Sequence, residues 1–570
     1  MKNRLALSLL LNTASELKTM NFYSQPIPAF SFLLISKCRV YFLGQQAIRK
    51  KLFSVDVRNF VSTMSASSNG VANGAGGTCK IDLKDPELLK TSCFIGGKFV
   101  PAAKEDGQGW FDVFNPATGE LVAKVADGGR ITTQQAIETA KSAFDSWKKL
   151  TALERSTILK KWFDLIIQNA DDLGKIMTTE QGKPLPEAVG EVKYGASFVE
   201  FFAEEAKRLY GDIIPAGSQT RALVIPQPVG VCGLVTPWNF PCAMLTRKAA
   251  PALAAGCTVV CKPSEMTPLS ALALCELAVR AGVPAGVLNV VTGFHAQPIG
   301  EELTTNPVVR KISFTGSTAV GKKLMMQSSS TVKKVSLELG GLAPFIIMED
   351  ANLDAAVSGL IACKFRNNGQ TCICANRVYV QSSIYDKFAE KVVEKVKTLR
   401  VGNGMEAGVN LGPLINEKAV EKVDRHVKDA VSKGAKVLVG GSPHSLGGLF
   451  YQPTVMTHMI DSMVMSCEET FGPVIGLFKF DSEEEVLKRA NNTNYGLASY
   501  LYTSNLARAW RMAESLESGM VGLNEPMIST ATVPFGGVKE SGIGREGSKY
   551  GIAEYVNLKY VLMGGIVPSS

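Results

Sequence analysis

Histidine is the rarest residue of this 570-residue chain, with only four copies (His295, His426, His444 and His458). No two of them stand at metal-ligand spacing, so a zinc site or a Ser-His-Asp hydrolase has little to draw on, and no metal is expected. The twelve cysteines contain no Cys-x-x-Cys pair. Cys232, Cys242, Cys257 and Cys261 sit mostly in apolar company, and a chain that is 46% hydrophobic has core enough without disulfide staples. They read as reduced core thiols in a reducing compartment. Long apolar runs are missing too. Residues 5–11 and 30–35 fall well short of the eighteen or so residues that cross a bilayer, so no membrane partner is expected.

Acidic residues are scarce only at one end. The net charge is +9, but residues 1–64 hold nine basic and two acidic side chains and carry +7 of it. The remainder is nearly neutral, with 52 basic and 50 acidic residues, which removes the charge argument for a nucleic-acid partner. The basic, serine-sprinkled segment runs into a low-complexity linker at 65–77. That composition is typical of an organelle transit peptide, pointing to the mitochondrial matrix or a plastid. A secretory leader is the alternative.

The length sets a prior of three to four domains. Thr151 and Glu154 form a T-x-x-E capping box, followed by an apolar helix face of Ile158, Leu159, Trp162, Phe163, Ile166 and Ile167. From about 222 to 316, apolar strands alternate with helices through Ala249–Ala255, Ala271–Ala281 and from about Ile299. Runs of four to seven apolar residues without strict alternation suit parallel strands buried on both faces, hence a doubly wound α/β fold. A second α/β stretch runs from about 339 to 544. The alternating tail after Gly551 and residues 221–228 are expected to form a protruding ribbon.

Three residues stand out chemically. Cys372 lies in a polar, glycine-containing stretch, unlike the other cysteines, and a helix N-terminus there would lower its pKa and expose it as a nucleophile. Glu338 is a lone carboxylate between leucines before Gly340-Gly341, which suits a desolvated general base. Asn239 ends an apolar strand in a proline-flanked turn, where its amide can serve an oxyanion. FTGSTAVG, at 314–321, is a glycine-rich strand-to-helix turn suited to a pyrophosphate or nicotinamide. GIGREG, at 542–547, has the literal G-x-G-x-x-G spacing but a charged middle, and it reads as a loop outside the cofactor site.

TPWNFP, KPSE, FTGSTAVG, LELGG, GQTC, EETFGPV and PFGGVKESG occur in the order and spacing of the NAD(P)-dependent aldehyde dehydrogenases, and this resemblance covers roughly residues 90–565. TRK, FRN and GLNEPMIS resemble the succinate-semialdehyde branch of that family. The resemblance implies Cys372 as nucleophile, Glu338 as base for deacylation, and Asn239 with the Cys372 N–H as oxyanion hole. It implies a cofactor site built by Trp238, Lys262, Pro263, Ser264, Glu265, Gly316, Ser317, Thr318, Ala319, Val320, Gly321 and Glu469. Arg247, Arg366 and Ser529 resemble a carboxylate-binding set, although Pro526 and Thr530–Val533 depart from relatives around Ser529.

The implied fold is α/β, with a Rossmann-type cofactor domain (83–212 and 230–338), a catalytic domain (339–547) and a small β oligomerisation ribbon (213–229 and 548–570), preceded by transit peptide and linker (1–80). The implied reaction is oxidation of succinic semialdehyde to succinate through a cysteine thiohemiacetal and thioester. Another acidic semialdehyde such as glutarate semialdehyde is the alternative substrate, and a non-catalytic binding protein is the rival from another class. A carboxylate at Glu265 repels a 2′-phosphate, so NAD is expected over NADP. A homodimer or homotetramer is expected. Cys374, two residues after Cys372, reads either as a small apolar filler or as a redox partner of the nucleophile.

Overall fold

Five of the apolar segments lie side by side as parallel strands. In spatial order they are Lys334–Glu338, Val309–Thr315, Val231–Val235, Thr258–Lys262 and Leu288–Val290. This computed structural model describes residues 79–106 and 109–566, and the leader read from composition lies outside them. Thr258–Lys262 and Leu288–Val290 are buried at every position, which is why their sequences do not alternate. Antiparallel strands close the edges of this eight-stranded sheet: Cys93–Ile95 and Lys98–Val100 on one side, Gly542–Ile543 on the other.

The connecting helices begin earlier than the apolar pattern indicates, at Pro241–Ala255, Pro268–Ala281 and Ala296–Thr305. Proline opens the first two, because its fixed φ and missing N–H suit a first helical turn. The chain reverses its direction of travel across the sheet between Val231–Val235 and Val309–Thr315. Ligand crevices in such sheets open at the carboxyl ends of the strands on either side of that reversal. Here those ends are Thr236–Asn239 and Gly316–Ser317.

A second, seven-stranded sheet is parallel except at its edge strand Lys436–Val439. Its central strands Ala343–Ile347 and Ala375–Gln381 carry the chain past Cys372. In a third sheet Thr220–Pro228 lies between Val556–Gly564 and Asp212–Gly217, in register with the former from Val556 opposite Pro228 to Gly564 opposite Thr220. Ile213, Leu558 and Tyr560 on this ribbon are more than half exposed.

The helix Ala152–Gln168 starts with the expected capping box. Leu159, Trp162 and Ile166 are buried, and Trp162 Nε1 donates to Leu274 O at 3.1 Å. Ile167, at the flank of that face, stays 38% exposed, so the buried stripe is narrower than the sequence indicates. All eleven cysteines among the described residues are unpaired, and Cys232, Cys242, Cys257 and Cys261 are buried. Among the described residues no helix is long and apolar enough to cross a membrane.

Candidate active site

Cys372 stands in the wall between two hollows. After the helix Leu353–Phe365 the chain turns through Arg366–Gly369 before entering the strand Ala375–Gln381. Asn367 and Asn368 take left-handed conformations there, at φ of 50° and 56°, which asparagine tolerates better than most residues. Asn367 Nδ2 donates to Asn239 O at 2.9 Å and Asn368 Nδ2 to Gly412 O at 2.8 Å, so the two asparagines pin the loop from both sides. Gly341 backs it: a Cβ at that position would lie 2.3 Å from the Cys372 carbonyl oxygen.

The expected helix N-terminus is absent, because Cys372 leads into a strand rather than a helix. Burial pushes its thiol up to about 12, the Glu469 carboxylate adds to the rise, and Arg247 opposes it. No helix N-terminus is there to offset that burial.

The larger hollow, about 230 Å³, is lined by Trp238, Asn239, Gly316, Ser317, Glu469 and Cys372, among others. Asn239 Nδ2 donates to Gln370 O at 3.0 Å, which fixes the amide and leaves its second hydrogen free. Glu469 Oε1 accepts the Gly341 N–H at 3.0 Å, and burial pushes this carboxyl up to about 7.

The helix N-termini at this end of the sheet are unequal. Glu191 Oε1 accepts the Cys242 and Ala243 N–H groups at 3.0 and 3.3 Å, occupying the start of Pro241–Ala255. Glu180 does the same for Leu269 and Ser270, each at 2.8 Å, at the start of Pro268–Ala281. Both positive helix ends are thus taken by carboxylates of the chain itself. The helix Thr318–Ser328 has only a long contact from Val320 N–H to Ser317 Oγ, at 3.5 Å. Its end borders the crevice and has N–H groups to offer an anion, so a dinucleotide pyrophosphate fits there and is excluded from the other two. Lys262 Nζ meets Glu265 Oε2 at 2.9 Å, leaving Oε1 without a partner among the described residues, at the end of the strand beside Val231–Val235.

The second, narrower hollow is lined by Tyr194, Phe240, Arg247, Arg366, Ser529 and Cys372, among others. Arg366 makes no ion pair and no side-chain hydrogen bond among the described residues; its guanidinium lies 5.0 Å from the Phe240 ring centroid. Arg247 is buried over Phe535, 4.1 Å from its centroid, with Nε 2.6 Å from Glu546 Oε2. That contact is an ion pair whose geometry does not make a hydrogen bond, and Nη2 also lacks a partner. Glu546 holds Lys248 with its other oxygen. Glu338, on the last position of Lys334–Glu338, is 3% exposed, and its Oε2 has no partner. Burial, with the Glu546 charge adding to it, holds its carboxyl well above the usual range.

A model of the aldehyde dehydrogenase family matches residues 102–561. The chain belongs to the aldehyde dehydrogenase family. It is 58% identical over 483 residues to the mitochondrial succinate-semialdehyde dehydrogenase of Arabidopsis thaliana, covering 85% of this chain and 91% of that one. It is 55% identical over 487 residues to the glutarate-semialdehyde dehydrogenase of Pseudomonas aeruginosa, covering 85% of this chain and all (100%) of the relative. The crystal structure of an Escherichia coli NADP-dependent enzyme superposes with a TM-score of 0.83 at 54% identity, covering 85% of this chain and 100% of that one.

Within this aldehyde dehydrogenase, Cys372, Asn239, Trp238, Gly316, Ser317 and Glu469 meet at one crevice, and Arg247, Arg366, Ser529 and Cys372 at the other. Lys262, Pro263, Ser264 and Glu265 lie one strand further along the same sheet edge and do not line the crevice. Cys374 faces neither hollow. It is fully buried, with Sγ 3.4 Å from Gly369 O and 3.6 Å from Lys364 Nζ.

GIGREG needs a correction. Its first two residues form the edge strand against Lys334–Glu338, and Glu546 is not a loop charge but the buried partner of Arg247 and Lys248. The motif lines no cofactor crevice. Tyr194, Lys422 and the helix-capping Glu180 and Glu191 also escaped the sequence reading. Tyr194 and Glu191 are polar residues within an apolar helix, while Lys422 and Glu180 stand in charged or polar stretches that give no signal at all.

Proposed function

We propose that this aldehyde dehydrogenase oxidises succinic semialdehyde to succinate, with NAD preferred over NADP. The observation that carries the substrate reading is the set of cation donors beside Cys372. Arg366 is unpaired, and Arg247, ion-paired to Glu546 through Nε, keeps Nη2 without a hydrogen-bond partner. Such a pocket lacks an acceptor of matching geometry, and a terminal carboxylate supplies one.

An aldehyde releases hydride only after its carbon becomes tetrahedral. Cys372 Sγ forms that bond as its proton passes to solvent water, giving the oxyanion of a thiohemiacetal. The second N–H of Asn239, with the Cys372 backbone N–H, receives the oxyanion, a kind of contact worth about 3–4 kcal/mol in well-characterised enzymes. The nicotinamide, when bound in the crevice, supplies the hydride acceptor. Trp238, Gly316 to Gly321 and Glu469 hold the cofactor against Cys372, and Lys262 and Glu265 hold its adenosine ribose. Glu338 then draws a proton from water, which hydrolyses the thioester to the acid.

Glutarate semialdehyde is the second reading, favoured by the likeness to the Pseudomonas aeruginosa enzyme. A panel of succinic semialdehyde, glutaric semialdehyde and propanal tests both. The expected kcat/KM for succinic semialdehyde exceeds that for propanal by roughly 100-fold, as one or two hydrogen bonds to a charged group would give. Equal values for the two would sink the substrate reading, and a higher value for glutaric semialdehyde would move it to the longer acid.

The cofactor preference rests on the free Oε1 of Glu265, which accepts from a ribose 2′-hydroxyl and repels a 2′-phosphate. Because a similar Escherichia coli enzyme is NADP-dependent, the discriminating variant is Glu265→Ser. Its ratio of kcat/KM for NAD over NADP is expected to fall by at least tenfold; an unchanged ratio rejects Glu265 as the discriminator. The exposed apolar ribbon supports assembly into a homodimer or homotetramer, and the basic leader supports import into the mitochondrial matrix, or alternatively a plastid. Oxidation joining Cys372 to Cys374 would require the Cys374 thiol to turn out of its buried contacts with Gly369 and Lys364.

A further inference from the structure

The substrate-side hollow contains a donor group beyond its two arginines. Tyr194, on the helix Leu185–Glu205, and Ser529, in the loop after Met520–Leu523, lie 335 residues apart in sequence, and their hydroxyl oxygens are 2.5 Å apart. Two hydroxyls bonded to each other use one hydrogen. Neither oxygen has another hydrogen-bond partner among the described residues, so one O–H hydrogen is left over on a pair that lines the hollow with Arg247, Arg366 and Cys372.

The tyrosine is held in place. Its ring packs edge-on against Phe198, at 5.0 Å and 77°, and the Arg366 guanidinium lies 5.9 Å from its centroid. Ser529, on a loop, has no comparable anchor apart from the tyrosine. Apart from Thr371, whose hydroxyl donates to Arg366 O at 3.4 Å, the polar side chains beside this pair are donors: the two guanidinium groups, Arg247 being also ion-paired to Glu546, and the hydroxyl pair itself. A carboxylate with two oxygens and about four lone-pair sites can satisfy all three at once.

We propose that Tyr194 is a specificity-determining residue, which with Ser529 forms a two-hydroxyl donor to the substrate's terminal anion between Arg247 and Arg366. This role rests on the anionic-aldehyde reading of the pocket. Whichever oxygen accepts the mutual bond is the one that donates to the substrate, and the first bond polarises the second. Removing the tyrosine hydroxyl frees Ser529 to rotate among its staggered positions, so the loss falls on anion recognition even if serine is the final donor.

The test compares Tyr194→Phe, Ser529→Ala and the double variant with wild type, using succinic semialdehyde and propanal as the probes. In Tyr194→Phe the KM ratio of succinic semialdehyde to propanal is expected to rise about tenfold, the effect of one hydrogen bond to a charged group. Changes common to both aldehydes cancel in that ratio. The double variant is expected to be no worse than the worse single one, because the pair acts as a unit. An unchanged ratio, additive losses, or a fall in kcat shared equally by both aldehydes would each overturn the proposal. Ser529→Ala carries the same expectation, so if Tyr194→Phe unfolds, an unchanged ratio in Ser529→Ala overturns it. The anionic-aldehyde reading fails separately, in wild type, if propanal is used as well as succinic semialdehyde.

Discussion

Replacing Cys372 with alanine is expected to reduce NAD(P)H formation on the order of 10^6-fold, the scale of loss when an enzyme loses its nucleophile. The size of the effect comes from the position of the sulfur. Cys372 and Met244 are the residues that line both hollows, and of the two only the cysteine carries a nucleophile that can meet a carbonyl carbon on one side and a hydride acceptor on the other. No neighbouring thiol can take over. Cys374 is buried against Gly369 and Lys364, and Cys363, also buried, lines neither hollow.

Serine at position 372 is expected to fare little better, because a hydroxyl is a much weaker acid than a thiol. Cofactor binding is expected to survive in both variants, since the crevice is built by Trp238, Asn239, Gly316, Ser317 and Glu469. Quenching of tryptophan fluorescence by the dinucleotide measures this. Retention of more than about a hundredth of the activity in Cys372→Ala would reject the cysteine as nucleophile.

The features legible in the sequence and those hidden from it divide on physical grounds. Strands such as Thr258–Lys262 were legible because burial on both faces writes an unbroken apolar run. Cys372, Glu338 and Asn239 were legible because each is the wrong kind of residue for its surroundings. Glu546 was not. An arginine and a glutamate flanked by glycines look like a solvated loop, and the burial of Glu546 is imposed by Arg247 and Lys248, the latter 298 residues earlier. Tyr194 was hidden for the same reason, on a helix whose buried face gives no sign of the serine it meets. The setting of Cys372 was hidden because it depends on the element that the loop enters, a strand where the glycine-containing turn suggests a helix. Long-range pairing is where local pattern stops being informative.

Glu338→Gln is expected to separate the two halves of the reaction. The substitution keeps the volume of a side chain that is 3% exposed, and it removes only the ability to take a proton. Steady-state turnover is expected to fall by roughly 10²- to 10⁴-fold, the usual contribution of a positioned base. A burst of NAD(P)H, one per active subunit, is expected to remain, because bond formation at Cys372 and loss of hydride precede the attack of water. Hydroxylamine, a nucleophile that needs no base, is expected to restore much of the turnover by cleaving the thioester directly.

The pH dependence gives an independent reading with a fixed sign. Burial and the Glu546 carboxylate raise the Glu338 pKa, so at low pH the base is protonated and idle. Wild-type kcat therefore rises with pH through that pKa, while the glutamine variant loses this limb. Loss of the burst itself would overturn the assignment to deacylation. It would mean that Glu338 takes the proton of a Cys372 thiol pushed up to about 12, making the same carboxylate the base for the first step instead of the last.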